Sequence, residues 1–156
     1  MNVESIVQSV DMQTILNAIP GNYLILLPDA PRFTIFGVTD SLLQTTYKTR
    51  DNVIGRTLFE VFPDDTTNDE ATGVLNLRSS LEYVIARKET HQMADQRYDI
   101  ENPETGTFEV KAWAASNTSP SLGPGFVARI DRARWLDTAL LPPSKCLRRS
   151  CRGPHA

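Results

Sequence analysis

The chain has 156 residues, 40% of them apolar and 22% charged, enough to bury one hydrophobic core and ordinary for a soluble globular domain. No apolar run approaches the roughly 18 residues of a membrane span, and the opening residues lack the basic-then-apolar layout of a secretory signal, so no membrane contact and a cytoplasmic location are expected. The net charge of −3 divides unevenly: residues 1–121 carry 9 basic and 17 acidic side chains, residues 122–156 carry 7 and 2, and an acidic main body argues against nucleic acid as a partner.

Met12, Ile15, Leu16 and Ile19 follow helical spacing, with Asp11 as N-cap and Pro20-Gly21 as the stop. Residues Tyr23–Leu27 and Phe33–Val38 read as two strands joined by the turn Pro28-Asp29-Ala30-Pro31 into an antiparallel hairpin. Three short helical pieces follow: one capped by Asp40 and holding Leu42 and Leu43, one after Asp51, and one carrying Leu58, Val61 and Phe62 up to Pro63. Residues Asn68–Lys88 predict the longest helix, with Val74, Leu77, Leu81, Val84 and Ile85 on one face.

After a polar segment from His91, Arg97–Glu101 predicts a strand with Tyr98 and Ile100 inward and Asp99 as a solvent-facing carboxylate. Asn102-Pro103-Glu104-Thr105-Gly106 reads as a hairpin loop with Gly106 at positive φ. The returning strand, Thr107–Ala115, sets Phe108, Val110 and Ala112 on one face and Glu109, Lys111 and Trp113 on the other. Phe126–Ile130 supplies a last, short strand.

Four segments carry a resemblance: Ile15-Leu16-Asn17-Ala18-Ile19-Pro20-Gly21, Pro31-Arg32-Phe33-Thr34-Ile35, Ile54–Asp64 (Ile-Gly-Arg-Thr-Leu-Phe-Glu-Val-Phe-Pro-Asp) and Gln96-Arg97-Tyr98-Asp99-Ile100. In them the chain resembles the PAS domains at the N-termini of bacterial sensor histidine kinases and related multidomain signalling proteins, over about residues 12–118. The resemblance implies an α+β fold, a five-stranded antiparallel sheet with helices on one face, here with the fifth strand short or incomplete. It divides the chain into a leader (1–11), the PAS-like domain (12–131) and a basic, disordered tail (132–156).

It also implies a sensory module of the two-component type that binds a small ligand or a partner and lacks its own effector. The alternative is a dimerisation domain with a filled core and no ligand. Ile25, Phe36, Leu43, Phe59, Leu81, Tyr98 and Val110 are the expected pocket lining. Met12, Leu16 and Trp113 are the expected interface, in a homodimer or against another signalling protein. The cofactor is left open. A flavin that bonds to cysteine needs that residue in the helical region, and residues 40–90 contain none; haem would need His91, which reads as an exposed loop histidine.

Catalytic machinery is not expected. No GxGxxG, GxxxxGK or GxSxG spacing occurs, and the acidic pairs Asp64-Asp65 and Asp69-Glu70 fall in a loop. Cys146 and Cys151, with only His155 nearby, fall short of the ligands a zinc site needs. No phosphoacceptor or nucleotide-binding segment follows the PAS-like region. The composition changes near Ser121, and Pro142-Pro143 breaks the basic tail. That break carries the expectation of a truncated or frame-altered histidine kinase remnant.

Overall fold

The computed structural model describes residues 11–119 and 126–135, the last stretch as backbone. Helix α1 (Met12–Ala18) starts as expected, the Asp11 carboxylate accepting the Thr14 amide proton at 2.7 Å. Strands β1 (Asn22–Leu26) and β2 (Ile35–Val38) pair antiparallel, with an irregularity opposite Ile25/Leu26 that leaves Phe36 without a partner in register. Next come α2 (Asp40–Thr46), a 3-10 turn (Arg50–Asn52) where a helical piece was expected, and α3 (Leu58–Val61). Gly55 makes the intervening bend at φ +80°, a region open to glycine.

Helix α4 (Gly73–Arg87) begins five residues later than the apolar pattern predicts. Residues 65–70 are held instead by local bonds, the Thr67 amide to Asp65 and the Glu70 amide to Asn68. The Asp64 carboxylate accepts from the Val74 amide at 3.0 Å and so satisfies a first-turn donor.

Four short strands follow, β3 (His91–Gln92), β4 (Gln96–Arg97), β5 (Ile100–Asn102) and β6 (Thr107–Glu109), and then the long β7 (Lys111–Thr118) and β8 (Phe126–Trp135). The main sheet runs β2-β1-β8-β7-β3, with β4 also on β7, while β5 and β6 form a separate ribbon around Gly106 at φ +67°. The expected single returning strand is thus two strands broken at Val110.

Three expectations are corrected. The fifth strand is not short: β8 has ten residues, pairing with β1 over Phe126–Ile130 and with β7 over Val127–Trp135, and runs past the boundary placed at residue 131. Its charged residues Arg129, Asp131, Arg132 and Arg134 masked it, because the apolar alternation stops at Ile130. Asp131 itself is passed over in the register between Ala114 and Ala115, a bulge that lets both halves pair. The tail from residue 136 and the leader, residues 1–10, lie outside the described residues.

The second correction is the face of β7: Lys111, Trp113 and Ala115 are buried, while Phe108, Val110 and Ala112 are half-buried. Glu109 and Lys111 both reach Tyr47, so the parity runs unbroken past Val110, and the face that carries Lys111 and Trp113 is the inner one. The third is Asp99, which is buried and paired with Arg97 at 2.6 Å.

Helices α2 to α4 cover the inner face of the sheet, and the core there joins Leu24, Leu26, Leu42, Leu58, Leu81 and Trp113, among others. Helix α1 lies on the outer face: a Cβ at Gly37 would stand 2.9 Å from Leu16 Cδ1 and 3.2 Å from Met12 Cε. Among the described residues no helix is long and apolar enough to cross a membrane.

Gly73 has no room for a side chain, because an added Cβ would enter the Tyr98 ring and stand 3.0 Å from the Asp64 carboxylate. Gly73→Ala is expected to lower stability by about 1–2 kcal/mol, overpacking outweighing the helix propensity of alanine. The midpoint of urea unfolding measures it, and an unchanged or raised midpoint contradicts this packing.

Candidate functional site

Side chains of opposite chemistry meet where α2, α3 and α4 close over the sheet. β1 contributes Leu24 and Leu26, α2 contributes Leu42, and the α3 region contributes Leu58 and Phe62. They meet Tyr98 and Ile100, then Trp113, Ala115 and Asn117 at alternate positions of β7. Between them is a cavity of about 60 Å³ with an almost wholly apolar wall. Of its lining residues Leu77 on α4 and Gln96 on β4 are the ones that are partly exposed.

Tyr98 holds one end. Its hydroxyl donates to the Phe62 carbonyl at the end of α3, and its own carbonyl accepts from Trp113 Nε1 at 2.6 Å. Burial, and then the Asp64 carboxylate, push the Tyr98 phenol well above the ordinary tyrosine range.

Asn117 holds the other end. Its side chain is completely buried; Nδ2 donates to Ser80 Oγ at 2.7 Å and to Met93 Sδ at 3.4 Å. Its Oδ1 has no hydrogen-bond partner. Ser80 Oγ also meets His91 Nδ1 at 2.7 Å, and the His91 ring lies 5.1 Å from that of Tyr83. His91 is therefore half-buried and engaged in a strand, which corrects its reading as an exposed loop residue.

Of the expected lining residues only Tyr98 borders the cavity. Leu43 and Leu81 are buried in the surrounding core without reaching it. Phe59 packs edge-on against Phe33 with Arg78 over its ring. Ile25 is on the α1 side of the sheet, Val110 is half-buried at the break before β7, and Phe36 is 53% exposed. The expected interface fares differently too: Leu16 is buried against its own sheet, Met12 lies beside it, and Trp113 is part of the cavity wall. The exposed apolar side chains of α1 and its end are Ile15 and Ile19, and β2 adds Phe36.

Two residues carry the chemistry that sequence reasoning missed, Asn117 and Ser80. A polar residue repeating the parity of Trp113 and Ala115 signals Asn117 once the face of β7 is known. Ser80 is signalled by its place beside Leu81 and Val84, among the apolar positions of α4.

Lys111 is buried as well, its ammonium donating to the Thr45 carbonyl and lying 5.0 Å from the Tyr47 ring centre. Burial pulls it below the ordinary lysine range. Neither cysteine nor histidine lines the cavity, so its walls do not fit a cysteine-bonded flavin or a haem. Among the described residues no three His, Cys, Asp or Glu side chains gather as a metal site.

The Tyr98 phenol makes stability fall at alkaline pH. An unfolded tyrosine releases its proton near about pH 10, whereas the folded state retains it, so the native state binds more protons and loses stability as pH rises. Tyr98→Phe is expected to cost about 1 kcal/mol at pH 8 through the lost hydrogen bond and to flatten this alkaline decline. Urea midpoints of both proteins between pH 8 and 11 measure it; parallel curves contradict the burial of the phenol.

No family model and no curated protein matches the chain. Solved structures do. The photoactive yellow protein domain of the sensor histidine kinase Ppr from Rhodospirillum centenum superposes with a TM-score of 0.58 at 11% identity, covering 83% of this chain and all of that one. The PAS domain of an HTR-like protein from Haloarcula marismortui gives 0.52 at 16% identity over 85% of this chain and all of that one. The Rhodobacter sphaeroides LOV protein gives 0.55 at 11% identity over 76% of this chain and 63% of that one. The sheet in the order β2-β1-β8-β7-β3, covered on its inner face by helices, superposes on these proteins over most of its length: the chain has the PAS fold.

Proposed function

We propose that the chain is a sensory signalling module that takes a small, mostly apolar ligand into the cavity that Leu77 and Gln96 help to line. The observation that carries this reading is the Asn117 side-chain oxygen, buried without a partner on a residue of a predominantly apolar wall. Leaving a buried acceptor unsatisfied costs about 1–3 kcal/mol, and a ligand bearing one N–H or O–H donor on an apolar body removes that cost. The volume, about 60 Å³, is far below the roughly 300–1,000 Å³ of pockets for drug-sized molecules. The ligand is accordingly small, or the walls part to admit it and the population shifts between two packings.

Two of the structural neighbours are a domain of a sensor histidine kinase and the PAS domain of an HTR-like protein, which supports an input role in a two-component pathway. In this reading the module works in the cytoplasm, has no catalytic step of its own, and is read by a second copy or by another signalling protein. A second reading, a dimerisation domain with an essentially filled core, is favoured by the small cavity and by the exposed Ile15, Ile19 and Phe36.

Native mass spectrometry beside the denatured spectrum separates the two. The sensor reading predicts a small non-covalent mass present only in the native spectrum and reduced at least tenfold by Asn117→Leu. A bare dimer contradicts it and supports the second reading.

A further inference from the structure

The hydrogen bonds around Asn117 have two possible directions, and the protons on His91 choose between them. A serine hydroxyl offers one proton and two lone pairs, and a carboxamide nitrogen only donates. Asn117 Nδ2 donates to Ser80 Oγ, so the Ser80 proton is free to go to the other partner at bonding distance, His91 Nδ1 at 2.7 Å. That bond requires Nδ1 to be unprotonated, with the ring proton on Nε2. The chain of bonds thus runs from the amide through Ser80 to the imidazole, and it leaves the carboxamide oxygen of this lining residue buried without a partner.

Histidine is the side chain whose charge changes between about pH 5 and 8. A protonated His91 carries a proton on Nδ1 and can only donate to Ser80. Ser80 then accepts from the ring, and its own proton needs a new acceptor. The orphaned Asn117 oxygen is on the same side chain as the nitrogen now facing Ser80. A half-turn of the carboxamide brings that oxygen to the Ser80 hydroxyl and turns Nδ2 toward the cavity. The two bonds through Ser80 are then remade in the opposite sense, and the weak one from Nδ2 to Met93 Sδ is given up.

We infer that His91 sets the polarity of the cavity through Ser80 and Asn117, presenting an acceptor to a ligand when the imidazole is neutral and a donor when it is protonated. As a statement about ligand selection this rests on the sensor reading above; the reversal itself needs no ligand. His91 is placed to sense the exterior. Across its ring lies Tyr83, whose hydroxyl donates to Glu89 at 3.1 Å and whose ring lies under the Arg87 guanidinium at 5.6 Å. These are the titratable and charged groups facing it from α4 and the turn after it. From β7 the residue paired with His91 is the neutral Asn117.

Side-chain NMR of the ligand-free protein between pH 8 and 5 tests the inference. At pH 8 the His91 ring is expected to carry its proton on Nε2, and on acidification the Asn117 side-chain amide signals should move with the same midpoint as the ring. In Ser80→Ala the ring still titrates while the amide signals stay still. Should that variant fail to fold, as judged by the Trp113 indole signal, His91→Gln gives the second arm, with Asn117 signals constant over the range. An Nδ1–H ring at pH 8 would falsify the inference. So would amide signals that ignore the His91 titration in the wild type, or that follow pH unchanged in either variant. None of these outcomes depends on whether a ligand exists, so the sensor reading can fail while the reversal stands, and the converse.

Discussion

The Tyr98 phenol crosses the interior to donate to the carbonyl that α3 leaves free at Phe62, and much of the molecule is arranged around that bond. The ring needs the space a side chain at Gly73 would take, which brings the first turn of α4 against it. The Asp64 carboxylate accepts from the Val74 amide at that same turn. Behind the ring, the Tyr98 amide donates to the Lys111 carbonyl at 3.0 Å and its carbonyl accepts from the Trp113 indole. One residue thereby ties the end of α3, the start of α4 and strand β7 at a fixed spacing. Because the aromatic rings of Tyr98 and Trp113 are held by polar bonds at their edges, they form a wall instead of collapsing into the space between them.

The consequence is an interior with two unlike ends. The Tyr98 end is satisfied: each polar atom named there has its partner. The Asn117 end is not: its side-chain oxygen is buried without a partner, on a residue of a predominantly apolar wall. Buried polar groups left unpaired are costly and rare, so the asymmetry points to a task at the Asn117 end. Ser80 and His91 connect that end to the protein surface within two hydrogen bonds.

The fold was readable from local patterns wherever one element's chemistry suffices. Asp11 caps α1, Gly106 adopts positive φ, and Leu58, Val61 and Phe62 anchor a short helix as their spacing predicts. The site was not, because the wrong parity looked like the inner one. In Thr107–Ala115 the apolar Phe108, Val110 and Ala112 suggest the core face, yet Lys111, Trp113, Ala115 and Asn117 are the buried side chains. In the same way the lining from β1 is Leu24 and Leu26, one position to either side of the expected Ile25. Strand β8 was hidden for another reason: pairing with β7 carries it through Arg132 and Arg134, which its charged sequence does not announce.

The central claim is that the polar bonds of Tyr98 and Trp113 keep a real apolar space open beside Asn117. Apolar cavities in proteins accept xenon, so diffraction from crystals under xenon pressure tests this most directly. The account predicts a xenon peak, or density for a retained small molecule, enclosed by Leu42, Leu58, Tyr98 and Trp113. Side chains packed together there, with neither xenon nor a bound molecule between the sheet and helices α2 to α4, would contradict it.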